Sequence, residues 1–256
     1  MKSANPVIIR IALLLACSAA LAGCSSSSTG PVTVFLDGAG WFGGSSCVKA
    51  GLREAGDKGD FETFVWSSGL GPAHDHLLVA GNKTLGRRLA KKLERMREKA
   101  PNARINVMAL SAGTSVVLNA LEQLKPGVSV DNVVLLSSSA SEARDLTPIM
   151  HHVRGRLYAT CSQKDGILST IITTADHKGG DPAGINGFRP PRNRTAATRS
   201  AYSRVVNLPW KPAYVAFDWD GGHTAATNRK FIASVIAPRI LSNDPYPADR
   251  PVMSGP

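Results

Sequence analysis

The chain has 256 residues, long enough for one sizeable core, and a single α/β domain is the default at that size. With 43% hydrophobic and 19% charged residues, the composition excludes a disordered chain. A net charge of +11 invites an anionic partner, but no aromatic-interleaved basic motif or recognition element is present, so nucleic acid is not an expected one.

In chain order, Lys2 and Arg10 come first, and residues 11–21 are then almost wholly apolar but short for a membrane span. The stretch closes on Leu21-Ala22-Gly23-Cys24, which resembles a bacterial lipoprotein signal with its lipobox. The resemblance implies cleavage before Cys24, lipid attached to that thiol, and an exported protein anchored to the cell membrane or outer membrane. Ser25 after the cysteine fits an outer-membrane address. Residues 24–30 read as a polar tether, 31–242 as the folded domain and 243–256 as a tail. Cys17 leaves with the signal. Cys47 and Cys161 remain in an oxidising setting, either paired or as two separate thiols.

Six β-branched or apolar runs follow, at residues 32–36, 61–66, 105–110, 133–137, 156–161 and 213–217. Most are apolar on consecutive positions, as strands covered on both faces are. Helical patterns alternate with them at residues 47–55, 83–99, 114–123 and 231–241. In the second, Leu85, Leu89, Leu93 and Met96 mark a buried face, and Arg87, Arg88, Lys91, Lys92 and Arg95 cover the rest. This basic surface, and a second one at 189–204, is either a solvated face or an attraction to anionic lipid or polymer. The alternation predicts βαβ units and a mostly parallel sheet. Residues 173–209, rich in Gly, Pro and Arg, show no period and read as an insertion at the entrance to a site, of which residues 179–194 should be removable with a changed substrate preference and an intact fold.

Ligands gather at the carboxyl ends of strands in such sheets. Ser111 follows the third run directly, with small neighbours Ala109 and Gly113 two residues to either side, and a helix begins at once. A serine is a useful nucleophile only beside a base, and a tight strand-to-helix turn lifts it clear of the sheet. The bland reading is a helix N-cap. The pattern resembles the nucleophile elbow of the α/β-hydrolase family, with Ala109 in place of the usual first glycine. The resemblance implies a compact α/β-hydrolase fold of about six mostly parallel strands without a large lid, and no cofactor or metal. It assigns Ser111 as nucleophile, Asp165 in Asp165-Gly166-Ile167-Leu168 as the acid and His223 in Gly221-Gly222-His223 as the base. It also assigns the backbone N–H groups of Ala39 and Ala112 as oxyanion donors. Asp37 stands where the family often has histidine. Asp218 and Asp220 compete with Asp165. The expected activity is serine hydrolysis of a small ester or lipid-like acyl substrate. Trp41 and Trp219 form an apolar wall beside the site or belong to the core.

Three other readings compete. A non-catalytic envelope lipoprotein could keep the scaffold for binding, an acyltransferase would share the acyl-enzyme, and His74 with His76 could hold a metal. Oligomeric state is not legible.

Overall fold

Six short segments build one sheet in the computed structural model, which describes residues 30–40, 43–67, 83–170 and 180–242. They are β1 (Val32–Leu36), β2 (Asp60–Thr63), β3 (Ile105–Leu110), β4 (Asn132–Leu136), β5 (Leu157–Cys161) and β6 (Val205–Pro209). The spatial order is β2-β1-β3-β4-β5-β6, with every neighbouring pair parallel. All positions of β1, β3 and β5 are buried, which is why their sequences are apolar at all but Thr33, Asn106 and Thr160.

Helices cover both faces. On one side lie α1 (Gly44–Glu54) and a C-terminal helix, α8, over residues 229–241. They pack Leu52, Phe231 and Ile236 against Phe35, Met108 and Tyr158. On the other lie α2 (Lys83–Lys99) and α3 (Ala112–Leu121), which share a core with Val107 and Leu135. The leucines of α2 at four-residue spacing form its buried stripe. Gly86 lets α2 approach α3: a Cβ there would lie 2.8 Å from Asn119 Cβ. In α8, the turn Ile232–Ile236 is π-wound just before Pro238, whose ring cannot fit a regular α-turn. The result is the six-stranded parallel sheet flanked by helices that the alternation predicted, with no large lid among the described residues.

Part of the basic charge is structural. Arg97 of α2 is buried and donates to the carbonyls of Pro101, Ala103 and Ser129 and to the Asp131 carboxylate. Arg204 donates to the carbonyls of Met150, Val153 and Gly155. Arg87, Arg88, Lys91 and Arg95 face solvent.

Two sequence expectations fail in the second half. Residues 213–217 are not the sixth strand. They form a 3₁₀ turn (Pro212–Phe217) in which Tyr214 alone is fully buried. Pro212 opens the turn with a fixed φ and no N–H for a ladder. The sixth strand is Val205–Pro209, an edge strand, where a terminal proline is tolerated.

Nor are residues 180–209 a detachable entrance loop. They hold α6 (Ala183–Asn186), α7 (Ala196–Tyr202) and β6. Ala183 donates to Ala140 O, Gly184 donates to Ser138 O, and Gly184 O accepts from Ser162. Excising residues 179–194 would therefore strip hydrogen bonds from the ends of β4 and β5. Short helices α4 (Thr147–Met150) and α5 (Gly166–Thr170) complete the set.

Cys47 and Cys161 are separate thiols, and burial pushes that of Cys161 up to about 11. Trp219 is fully buried and packs on Tyr214 and Phe231, so it belongs to the core and not to a substrate wall. No helix among the described residues is long and apolar enough to cross a membrane. The apolar leader, Cys24, Trp41, His74 and His76 lie outside those residues, and among the described ones no group of three or more His, Cys, Asp or Glu side chains is placed to hold a metal.

Candidate active site

The chain reverses its direction across the sheet between β1 and β3. Their carboxyl ends therefore flank a crevice, the usual ligand position in an open α/β sheet. Ser111 stands there. Its backbone has φ 53° and ψ −125°, a conformation non-glycine residues rarely adopt and that costs roughly 1–3 kcal/mol. The surroundings enforce it. Ser111 N–H donates to Leu136 O at 2.9 Å, and the Thr114 hydroxyl donates to Ser111 O. Gly113 is required by contact: a Cβ there would lie 2.6 Å from Asp37 O. Ala109 is accommodated, its methyl buried in the core beside α3.

Ser111 occupies the N-cap position of α3, yet its hydroxyl makes no capping hydrogen bond. The helix-cap explanation of this serine is thereby removed. Ala112, the first residue of α3, is fully buried, and N–H groups in a helix's first turn have no intrahelical partner. Across the crevice, the loop after β1 brings Gly38 against the nucleophile candidate, where a Cβ would lie 3.2 Å from Ser111 Cβ. Ala39 follows in a turn, half-buried.

Asp165 and His223 meet two strands away. His223 Nδ1 and Asp165 Oδ2 are 2.7 Å apart, and both side chains are buried. An ionised carboxylate can only accept, so against it Nδ1 carries the proton, and the neutral imidazole then keeps Nε2 as a base. The other carboxylate oxygen, Oδ1, accepts Leu168 N–H at 3.0 Å, so Asp165 also caps α5. Each oxygen thus has its own partner. The rival carboxylates are engaged elsewhere: Asp220 Oδ1 accepts Gly222 N–H at 2.8 Å, and Asp218 pairs with Lys230.

Ser111 and His223 share no hydrogen bond, but one short segment joins their backbones. Leu136 O holds Ser111 N–H. The next residue, Ser137, donates its hydroxyl to His223 O at 2.9 Å. Ser138 Oγ lies 2.8 Å from Thr114 Oγ1 on the elbow, and Ser139 N–H reaches Ser111 O at 3.5 Å. The run Ser137-Ser138-Ser139 therefore stitches the elbow to the histidine loop. Sequence reasoning passed over these residues because serines after a strand read as ordinary loop. Their position at a strand's carboxyl end was the available signal.

Asp37 is a second residue whose importance emerges only in three dimensions. Its side chain is buried at the start of the glycine-rich loop. Oδ2 accepts Ser45 N–H at 3.3 Å at the start of α1, while Oδ1 has no partner. Burial raises its pKa above the ordinary 3.8, and the hydrogen bonds from the start of α1 offset only part of that. Its carbonyl accepts from Trp66 Nε1 at 2.8 Å.

No protein-family model matches the chain, and no curated protein matches it. Solved structures do. A cutinase-like protein from Cryptococcus sp. shares 11% identity over 85% of this chain and 98% of its own, at a TM-score of 0.45. A lipase-esterase related protein from Clostridium acetobutylicum ATCC 824 shares 11% over 83% and 95%, at 0.47. An acetylxylan esterase shares 14% over 82% and 94%, at 0.46.

Proposed function

We propose that the protein is a serine hydrolase that cleaves ester-like acyl substrates through Ser111, His223 and Asp165. The observation that carries this reading is the combination at one rim of a strained serine with an uncommitted hydroxyl and a buried, hydrogen-bonded His–Asp pair. His223 Nε2 takes the Ser111 proton as Oγ attacks the carbonyl carbon. The oxyanion forms beside the N–H groups of Ala112 and Ala39. The imidazolium, stabilised by Asp165, then protonates the departing alcohol. Water attacks the acyl-serine by the same route in reverse, releasing the acid and restoring the serine. Lipidation at Cys24 would hold this site beside an envelope membrane.

A fluorophosphonate probe tests the reading on the full chain. Wild type should be labelled covalently at Ser111 and should hydrolyse 4-nitrophenyl butyrate. An unlabelled, inactive wild type would favour the binding lipoprotein instead. Competition between water and an added alcohol for the acyl-enzyme separates hydrolase from acyltransferase.

A further inference from the structure

A cleft of about 390 Å³ opens at the carboxyl ends of β5 and β6, beside the His–Asp pair. Cys161, Ser162, Gln163, Lys164, Asn186 and Trp210 are among its lining residues. Strands are spaced roughly 4.8 Å apart, so the cleft stands on the order of 12 Å along the rim from the end of β3.

Its charged group is exposed and rests against an aromatic ring. Lys164 Nζ sits 3.7 Å from the centre of the Trp210 ring. The indole cannot swing away, because its Nε1–H donates to Trp219 O at 3.0 Å. On the other side the lysine stem meets the histidine loop: a Cβ on Gly221 would lie 3.0 Å from Lys164 Cβ and 3.1 Å from Cδ. The ammonium thus rests on an aromatic face while its stem packs against the backbone that carries His223, and the side chain remains exposed to solvent. Among the described residues it pairs with no carboxylate. Asp165 is taken up by His223 and Leu168, and Asp220 by Gly222. Glu142 is paired with Arg189, and the Asn186 amide stands between the cleft and the carboxylates of Glu142 and Asp181, donating at 3.4 and 3.5 Å.

An exposed cation in a concave site, paired with no carboxylate among the described residues and with the Gln163 amide also lining the cleft, fits an oxyanion. We propose that this cleft binds a phosphate or carboxylate group carried by the substrate, with Lys164 as its counter-charge. The word "substrate" rests on the hydrolase reading, while the anion site itself does not. Because Lys164 precedes Asp165 directly and packs on Gly221, an occupied cleft would also tighten the loops that set the His–Asp bond.

The binding test uses Trp210 as reporter. The full chain is titrated with inorganic phosphate and, in a second arm, with phosphatidylglycerol against phosphatidylcholine vesicles. A saturable fluorescence change is expected in wild type. It should vanish in Lys164→Met, which keeps the alkyl stem packed, and return in Lys164→Arg. A response to phosphatidylglycerol assigns the oxyanion to a lipid headgroup, and one to phosphate alone assigns it to a soluble substrate. A kinetic arm compares 4-nitrophenyl half-esters of dicarboxylic acids with their neutral methyl esters. The charged series should show a KM about tenfold lower in wild type, and Lys164→Met should erase the difference. A flat titration in wild type, or one that Lys164→Met leaves unchanged, overturns the site. If no ester is turned over and Ser111 is not labelled, the hydrolase reading fails while the titration still decides whether the cleft binds anions.

Discussion

The ends of β3 and β4 lie side by side, and each is followed directly by a serine at positive φ, 53° at Ser111 and 44° at Ser137. The same strain serves opposite ends. At β3 it presents a hydroxyl that caps nothing. At β4 it turns a hydroxyl onto the backbone of the histidine loop. Backbone strain therefore does not by itself mark a nucleophile. What separates the two is whether the side chain is already committed.

The sharpest way to break this contrast is to remove each hydroxyl. Ser111→Ala should lower kcat on 4-nitrophenyl butyrate by ~10⁶ if the three residues act as a unit. Retention of most activity would remove Ser111 from the chemistry. Asp165→Asn should cost ~10⁴, through loss of the acceptor that fixes the imidazole tautomer. Ser137→Ala should cost only about tenfold, the worth of one buried hydrogen bond, and Ser111 should still take the fluorophosphonate, though more slowly. If Ser137→Ala were as damaging as Ser111→Ala, the division of labour between the two strand ends would be wrong.

Smaller effects test the frame around the pair. Gly113→Ala places a methyl 2.6 Å from Asp37 O and should destabilise by ~1–3 kcal/mol, read as a lower Tm. Asp37 gives a pH signature. Its folded pKa lies above the unfolded value near 3.8, so the folded state holds the proton more tightly. That contribution is complete below 3.8 and is lost as pH rises through the folded value. Urea titrations across that window should show stability falling with pH more steeply in wild type than in Asp37→Asn. Parallel curves would mean that Asp37 is not buried as described.

Much of this was legible in the sequence where burial is two-sided. β1, β3 and β5 are covered on both faces, so their residues are mostly apolar on consecutive positions, and the four-spaced leucines of α2 mark its buried stripe. Ser111 and Asp165 stand out as candidates because each follows a strand beside small residues that permit a sharp turn, whereas His223 stands out by its Gly221-Gly222 lead-in alone, since the run before it is a 3₁₀ turn and not a strand. The edge strand was not visible. Val205–Pro209 is half-exposed and contains Asn207, which spends its side chain on the Phe188 backbone. Nearby, the more hydrophobic Ala213–Phe217 stretch is diverted by Pro212 into a surface turn. Hydrophobicity reports burial, and at a sheet's edge burial and strand pairing part company. Ser137 and Lys164 were hidden for another reason: their partners are distant in sequence, 86 residues away at the histidine carbonyl and at the end of the next strand on the Trp210 ring.

The three-serine run after β4 has one more consequence, for how the molecule fails. Because the same few residues clamp both the turn bearing Ser111 and the loop bearing His223, neither can melt while the other stays ordered. Heating should extinguish fluorophosphonate reactivity in a single step that coincides with the loss of near-ultraviolet dichroism. The amides of residues 111 and 139 should then exchange with deuterium at one common rate.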